Sequence, residues 1–254
     1  NKNMQVELDS MFLYVFHLAQ HVAETTSGAF DITVAPAVNA WGFGFKNAAT
    51  IDNDLIDSLK QIVGYQMVKE ENGAIVKEDN RIMLDCSAIA KGFGCDVVAT
   101  LFDSIGIADY SVEIGGESVV KGGNSKGSDW RIGISKPTDD SLATETELQT
   151  VLELSDRAMA TSGNYRNFYY KDGKKYAHTI NPATCRPVNH NLLSVTVLAE
   201  NCAVADAYAT AMMVLGLERS LELCKKLENV DAYFIYQDNE GVIQICTTPD
   251  FPID

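Results

Sequence analysis

Basic side chains are scarce in this sequence. Its 254 residues hold 20 Lys and Arg against 35 Asp and Glu, a formal charge of −15 with a pI of about 4.6. Phosphate backbones need clustered cations, so the balance argues against a nucleic-acid partner. An anionic ligand would have to be met locally, by a metal ion, by glycine-rich backbone N–H groups or by a helix N-terminus. Long apolar runs are missing too, which argues against a membrane span. No charged-then-apolar leader opens the chain, which starts at Asn1 without an initiator Met and reads as trimmed. CxxC and Cys/His metal spacings are absent. The six cysteines, at 86, 95, 185, 202, 224 and 246, are scattered, which argues against a zinc site or a disulfide framework and suits small core residues.

What is present is apolar: at 46% hydrophobic residues the chain can bury a full core. One domain over residues 1–254 is expected, with two intertwined halves as the other arrangement of this length. Leu8, Met11, Phe12, Val15, Phe16, Ala19 and Val22 recur at helical spacing and predict an amphipathic first helix. A second helix is expected over 51–63. Short strands follow at 65–69, 74–77 and 81–84. Ser87 is placed to cap a helix over 88–104 whose stripe is Ile89, Phe93, Val97 and Leu101. Gly92 and Gly94 inside it each cost about 1 kcal/mol relative to Ala, so something must come close there, either a ligand, a neighbouring strand or a sheet packed tightly on the helix.

Residues 110–120 alternate as a strand with a bulge expected at Gly115-Gly116-Glu117. Residues 130–134 read as its partner, 135–147 as an exposed connection and 148–154 as another strand. Thr161-Ser162-Gly163-Asn164-Tyr165 reads as a turn or as donors for phosphate or ribose. Strands at 166–170 and 175–180 flank Asp172-Gly173, a hairpin signal that carries His178 to a strand end. A strand at 193–198, a helix over 201–214, a helix ending near Leu227 and a hairpin of 232–237 with 242–247 complete the chain. The mixture predicts an α+β fold, and the recurrence of strand, helix and hairpins in each half is compatible with a weak internal duplication.

Three clusters carry chemistry. Asp206 and Thr210, four apart on one helical face, present three oxygens to one point, an arrangement that suits Mg2+, whose remaining ligands are waters and substrate phosphates. Local capping by the Asp and back-bonding by the Thr would use the same spacing. His178 leaves a strand into the turn His178-Thr179-Ile180-Asn181-Pro182, and Lys91 sits beside the glycines of the third helix. Trp41-Gly42-Phe43-Gly44-Phe45 is either a turn over the core or a wall for a planar ring.

Taken in order, Ser27-Gly28-Ala29-Phe30-Asp31, Ser87-Ala88-Ile89-Ala90-Lys91-Gly92, Gly115-Gly116-Glu117, Thr161-Ser162-Gly163-Asn164-Tyr165, His178-Thr179-Ile180-Asn181-Pro182 and Asp206-Ala207-Tyr208-Ala209-Thr210 resemble the ApbE family over nearly the whole chain. The resemblance implies a T-fold-related α+β domain of mixed sheets and packed helices, lacking here an N-terminal strand and helix that family members usually carry. It implies FAD:protein FMN transferase chemistry: Mg2+-dependent cleavage of the FAD pyrophosphate, passage of FMN to a threonine hydroxyl of an acceptor flavoprotein of the redox-pump subunit type, and release of AMP. Hydrolysis of FAD to FMN and AMP, and FAD storage without turnover, are the alternatives. The metal ligands then fall on Asp206, Thr210 and the Ala88 carbonyl. Lys91 and His178 take the catalytic places, and Gly115, Gly116, Glu117, Thr161, Ser162, Gly163, Trp41 and Asp85 the cofactor contacts. Thr184-Cys185 stands where the family usually has Thr-Gly, so a residue with a Cβ occupies a position that favours positive φ and is expected to reshape the turn. Relatives work outside the cytoplasm, often tethered by an N-terminal lipid, which predicts an exported lipoprotein.

Overall fold

The computed structural model describes residues 3–44, 49–137, 147–164, 168–171 and 173–253. In chain order, β1 (Gln5–Glu7) leads into α1 (Ser10–Thr25), which Asp9 starts by accepting the Phe12 N–H at 2.8 Å. The predicted stripe is buried at Val15, Phe16, Ala19 and Val22, while Met11 at its start faces solvent. Next come α2 (Ala35–Ala40), α3 (Asn53–Lys60) capped by Asp52, and a single 3-10 turn at Tyr65–Met67 where a strand was expected. β2 (Val68–Glu71) and β3 (Ala74–Lys77) close over Asn72-Gly73, both at positive φ. The strand expected at 81–84 is reduced to one bridge, Val34 to Met83. Side chains have taken its backbone groups: Lys77 Nζ donates to the Ile82 carbonyl at 2.9 Å and Asp79 accepts the Arg81 N–H at 2.8 Å.

The third helix expected from the sequence is α4 (Ala90–Ser104), with Ile89 as an N-cap lacking a side-chain bond; Ser87 instead gives its N–H to Asp85. Its buried face is Gly92, Cys95 and Ala99, with Leu101 left 55% exposed, so the helix is turned from the predicted stripe. The reason is steric: small residues let α4 lie close to its neighbours, which large ones forbid. β4 (Tyr110–Ile114) and β5 (Glu117–Lys121) form a hairpin. Gly115 and Gly116, at φ +64° and +103°, are its two-residue turn and not a bulge. β6 (Trp130–Ser135) pairs with β7 (Leu148–Leu154), not with β4 or β5; most of their connection, 138–146, lies outside the described residues.

β8 (Arg157–Gly163) was not anticipated, since apart from Thr161 its run is Ala158, Ala160, Ser162 and Gly163, which carry little strand preference. β9 (Phe168–Lys171), β10 (Lys174–Ala177), β11 (Ile180–Asn181) and β12 (Arg186–Pro187) make two short hairpins. Asp172 of the expected Asp-Gly turn lies outside the described residues, as do Phe45 and Tyr165. β13 (Leu192–Ala199), α5 (Cys202–Leu215), α6 (Leu217–Cys224), β14 (Asp231–Gln237) and β15 (Ile243–Thr247) complete the chain. The α+β expectation holds.

The chain divides into two units, 1–88 with 169–189, and 89–168 with 190–254. In the first, β1-β3-β2 form a sheet, and Ala37, Trp41, Ile56, Leu59, Val63, Ile180 and Cys185 share a core. The second is built on an antiparallel sheet ordered β15-β14-β13-β8-β5-β4. Successive strand residues face opposite ways. Ala158, Tyr110 and Val112 therefore meet Cys95, Ala99 and Cys202 of α4 and α5 on one face. Met159, Leu198, Val120 and Ile235 meet Ile134, Leu152 and Leu154 of the β6–β7 ribbon on the other. With both faces covered, β13 and β8 are held rigidly behind α5.

Candidate active site

In the second unit the glycine turn and the starts of α4 and α5 converge. Glu117, the first residue of β5, is 2% exposed, and its Oε1 lies 2.6 Å from Lys91 Nζ. Its Oε2 is buried without a hydrogen bond among the described residues. A Cβ at Gly115 would stand 3.2 Å from Lys91 Cδ, so glycine serves there both for its φ and for the passage of the Lys91 stem.

Asp206, the fifth residue of α5, is 5% exposed and accepts the Gly92 N–H of α4 on Oδ2 at 3.0 Å. Burial pushes its carboxyl up to about 6, with the Glu117 charge adding to the rise and the Gly92 bond and Lys91 opposing it. Thr210 lies one turn on and is half-buried, and its hydroxyl forms no hydrogen bond among the described residues, so the back-bonding alternative is not realised. A buried carboxylate with one oxygen unused, a hydroxyl on the same helical face and a nearby second anion make a donor set that fits a hard divalent cation. Among the described residues no cluster of three or more His, Cys, Asp or Glu competes for such an ion.

Gly92 shows what its missing side chain is for. A Cβ there would sit 2.3 Å from the Cys202 carbonyl oxygen, so the close approach that its cost demanded is by the start of α5, neither a strand nor a ligand. Thr161, Ser162 and Gly163 lie along β8 opposite Thr196, Val195 and Ser194 of β13. Thr161 shares a 2.8 Å hydrogen bond with Thr196, and three of the five residues of the expected polar turn are strand.

In the first unit, His178 follows β10 and meets the edge of Phe43, centroids 6.4 Å apart at 69°. Phe43 stacks on Tyr169 at 5.1 Å, Tyr169 on Tyr176 at 5.5 Å and Tyr176 on Trp41 at 5.4 Å. Trp41 is 6% exposed and donates its indole N–H to the Cys185 carbonyl at 2.8 Å, which makes it a core ring at the base of this stack. Cys185 adopts a left-handed backbone, φ +51°, with its thiol buried, so a residue with a Cβ takes the conformation that the position favours. Burial pushes that thiol up to about 11. Asp85 accepts the Ser87 N–H and hydroxyl, and Ala88 lies in the turn entering α4.

Two carboxylates central to these arrangements had no role assigned from the sequence, Asp31 standing there only as the end of a motif. Asp31 accepts the Thr33 N–H and hydroxyl and the Tyr65 N–H, pinning the segment after α1. Asp96 accepts the Cys202 and Ala203 N–H groups. Helical spacing offered a signal for Asp96, since it lies one turn beyond Gly92 on the face that meets α5.

The glycine turn, Lys91 with its half-exposed ammonium paired to the buried Glu117, and a helix carrying a carboxylate and a hydroxyl four residues apart together form a donor set suited to an anionic group and a hard cation. The model of the ApbE family matches residues 1–234, and the chain belongs to that family. It is 42% identical over 218 residues to an FAD:protein FMN transferase of Vibrio cholerae, covering 85% of this chain and 64% of the relative. A Haemophilus influenzae protein of the same name is 35% identical over 247 residues, covering 95% and 70%. Among solved structures, the flavin transferase ApbE from Vibrio cholerae superposes with a TM-score of 0.86 at 35% identity, over 99% of this chain and 78% of that one. The apo form of Pseudomonas stutzeri flavinyl transferase ApbE gives 0.84 at 30%, over 97% and 75%. The chain thus spans under two thirds of the length of the first of these curated relatives.

Proposed function

We propose that the protein transfers FMN from FAD to a threonine hydroxyl of an acceptor flavoprotein, releasing AMP, with Mg2+ required. The observation that carries this reading is the Asp206 carboxylate, buried, bonded on one oxygen and pushed up to about 6 beside Thr210, whose ionised form a divalent cation would stabilise. Asp206, Thr210 and the Ala88 carbonyl would hold the cation, which when bound neutralises pyrophosphate charge.

The chain's own groups supply the rest. Lys91, its ammonium paired with Glu117 on one side and its side chain 45% exposed, offers its remaining N–H donors to phosphate oxygens. The Gly115-Gly116 turn and residues 161–163 contact FAD. His178, edge-on to Phe43, takes the proton of the attacking threonine hydroxyl. The threonine oxygen bonds to the FMN phosphorus as the bond to the AMP phosphate breaks, and AMP leaves with that electron pair. Such a displacement depends on charge neutralisation and alignment more than on covalent help from the protein.

The acceptor is proposed to be a redox-pump subunit and the site of action outside the cytoplasm, on the family resemblance. The sequence upstream of Asn1 in the gene tests the location: a charged segment, a short apolar run and a cysteine at the cleavage site are expected, and a start codon directly before a soluble segment refutes it. Incubation with FAD, Mg2+ and a threonine-bearing acceptor, followed by the acceptor's mass, tests the activity. A gain of one FMN is expected. FMN and AMP free in solution with an unmodified acceptor would make the protein an FAD pyrophosphatase, and intact FAD would make it a binding protein.

A further inference from the structure

α4 and α5 begin side by side, and each supplies an anion to the other's first turn. The N–H groups opening a helix have no partner within it and carry partial positive charge. In α4, the Gly92 N–H goes to Asp206 Oδ2 of α5 at 3.0 Å. In α5, the Cys202 N–H goes to Asp96 Oδ1 at 2.7 Å and the Ala203 N–H to Asp96 Oδ2 at 2.8 Å. The helices close to this distance because Gly92 has no side chain to meet the Cys202 carbonyl.

The two caps of α5 differ in what they refer to. Asn201 accepts the Val204 N–H at 3.1 Å, a bond local to the helix that would survive any displacement of α5 as a body. Asp96 grips two successive N–H groups with two oxygens from another helix, which fixes both the position and the rotation of α5 against α4. Asp206 lies one turn further along α5, and its bond to Gly92 depends on that same placement. We propose that Asp96 is a positioning residue for the divalent-cation centre: its two-point hold on the start of α5 sets the Asp206 carboxylate so that one oxygen meets Gly92 and the other is left for the ion. Asp96 does not itself touch the ion. The proposal rests on the reading of Asp206 as a magnesium ligand.

Asp96→Asn tests it, because the amide retains one acceptor but turns an N–H donor toward an N–H donor, reducing the hold to one point. Asn201→Ala is the comparison, removing a cap of the same helix without loosening it from α4. Two titrations with Mg2+ are read for each variant: the rise in melting temperature of the protein and the rate of FMN transfer. In Asp96→Asn the half-saturating Mg2+ should rise about tenfold in both, the usual scale for losing a group that orients a metal ligand, with KM for FAD changed less than about twofold. Asn201→Ala should lower the melting temperature and leave half-saturation within about twofold of wild type, having left the ligand's placement intact. Should Asp96→Asn fail to fold, Asp96→Glu, with both oxygens on a longer stem, should shift the Mg2+ response in the same direction. A wild-type protein responsive to Mg2+ whose Asp96 variants keep its half-saturation, or an equal shift in Asn201→Ala, overturns this proposal alone. A wild-type protein indifferent to Mg2+ overturns it together with the magnesium reading.

Discussion

Replacing Gly92 by Ala sets helix propensity directly against packing. On propensity alone the change should stabilise α4 by about 1 kcal/mol. The added Cβ, however, would stand 2.3 Å from the Cys202 oxygen, 2.6 Å from the Cys202 carbonyl carbon and 2.9 Å from the Ala203 nitrogen, all backbone. Relief requires the two helix starts to part by about 1 Å, since tightly packed backbone has no rotamer with which to yield. That distance takes the Gly92–Asp206 bond and both Asp96 bonds out of range. Hydrogen bonds to charged groups contribute about 1.5–3 kcal/mol each, part of which water recovers. The net expectation is a loss of about 3 kcal/mol, roughly 6–12 °C in Tm for a chain of this size. Gly94→Ala is the internal control: its Cβ meets only the Ile114 Cδ1 at 3.1 Å, the far end of an exposed side chain that can swing away, so it should be neutral or gain up to about 1 kcal/mol. Urea unfolding of the two variants beside wild type checks the pair. Equal stability in Gly92→Ala and Gly94→Ala would refute the claim that backbone contact at α5 is what Gly92 serves.

Further outcomes follow from the same geometry. With chelator present, Asp206 raised from 3.8 to about 6 means that the fold disfavours its ionised form. Stability from this group is full below about pH 4 and falls by up to about 3 kcal/mol as pH rises through 6. Asp206→Asn, which still accepts from Gly92, should remove that component from unfolding free energies measured at pH 4.5 and 7.5; an unchanged pH slope would contradict it. The same variant should not reach the wild-type transfer rate at any Mg2+ concentration, and matching rates across the titration would remove Asp206 from the metal site. His178→Ala should lower the transfer rate while FAD binding, followed by fluorescence, is retained; simple loss of FAD binding would move His178 from proton transfer to ligand positioning. Cys185, buried and pushed up to about 11, should escape alkylation in the native protein at pH 8 and react after unfolding, as peptide mapping would report.

Local rules made much of this chain legible. Strong apolar periodicity marked α1, the helix expected over 201–214 met α5, and the turn between 237 and 242 marked the last hairpin. The four-residue spacing put Asp206 and Thr210 on one face before any fold was known. The errors have a common cause. β8 is written in Ala, Thr, Ser and Gly, and only the neighbouring β13 and β5 make it a strand. The stripe on α4 was assigned to its largest apolar residues, yet proximity to α5 selected Gly92, Cys95 and Ala99. For Trp41, read from its stretch as part of either a turn over the core or a wall for a ring, only the bond to Cys185, 144 positions away, showed its place in a core.

Residue identity and spacing by themselves determined the α+β composition, the acidic charge balance and the ordered motifs of the family, because each depends on composition or on side chains a turn or a strand apart. Only the tertiary structure decided that Asp206 caps α4, that Asp96 holds α5, and that Glu117 anchors Lys91. Those pairs join positions separated by 114, 106 and 26 residues. No local preference encodes such distances; they exist only because a glycine lets two helix starts meet and a sheet covered on both faces holds them there.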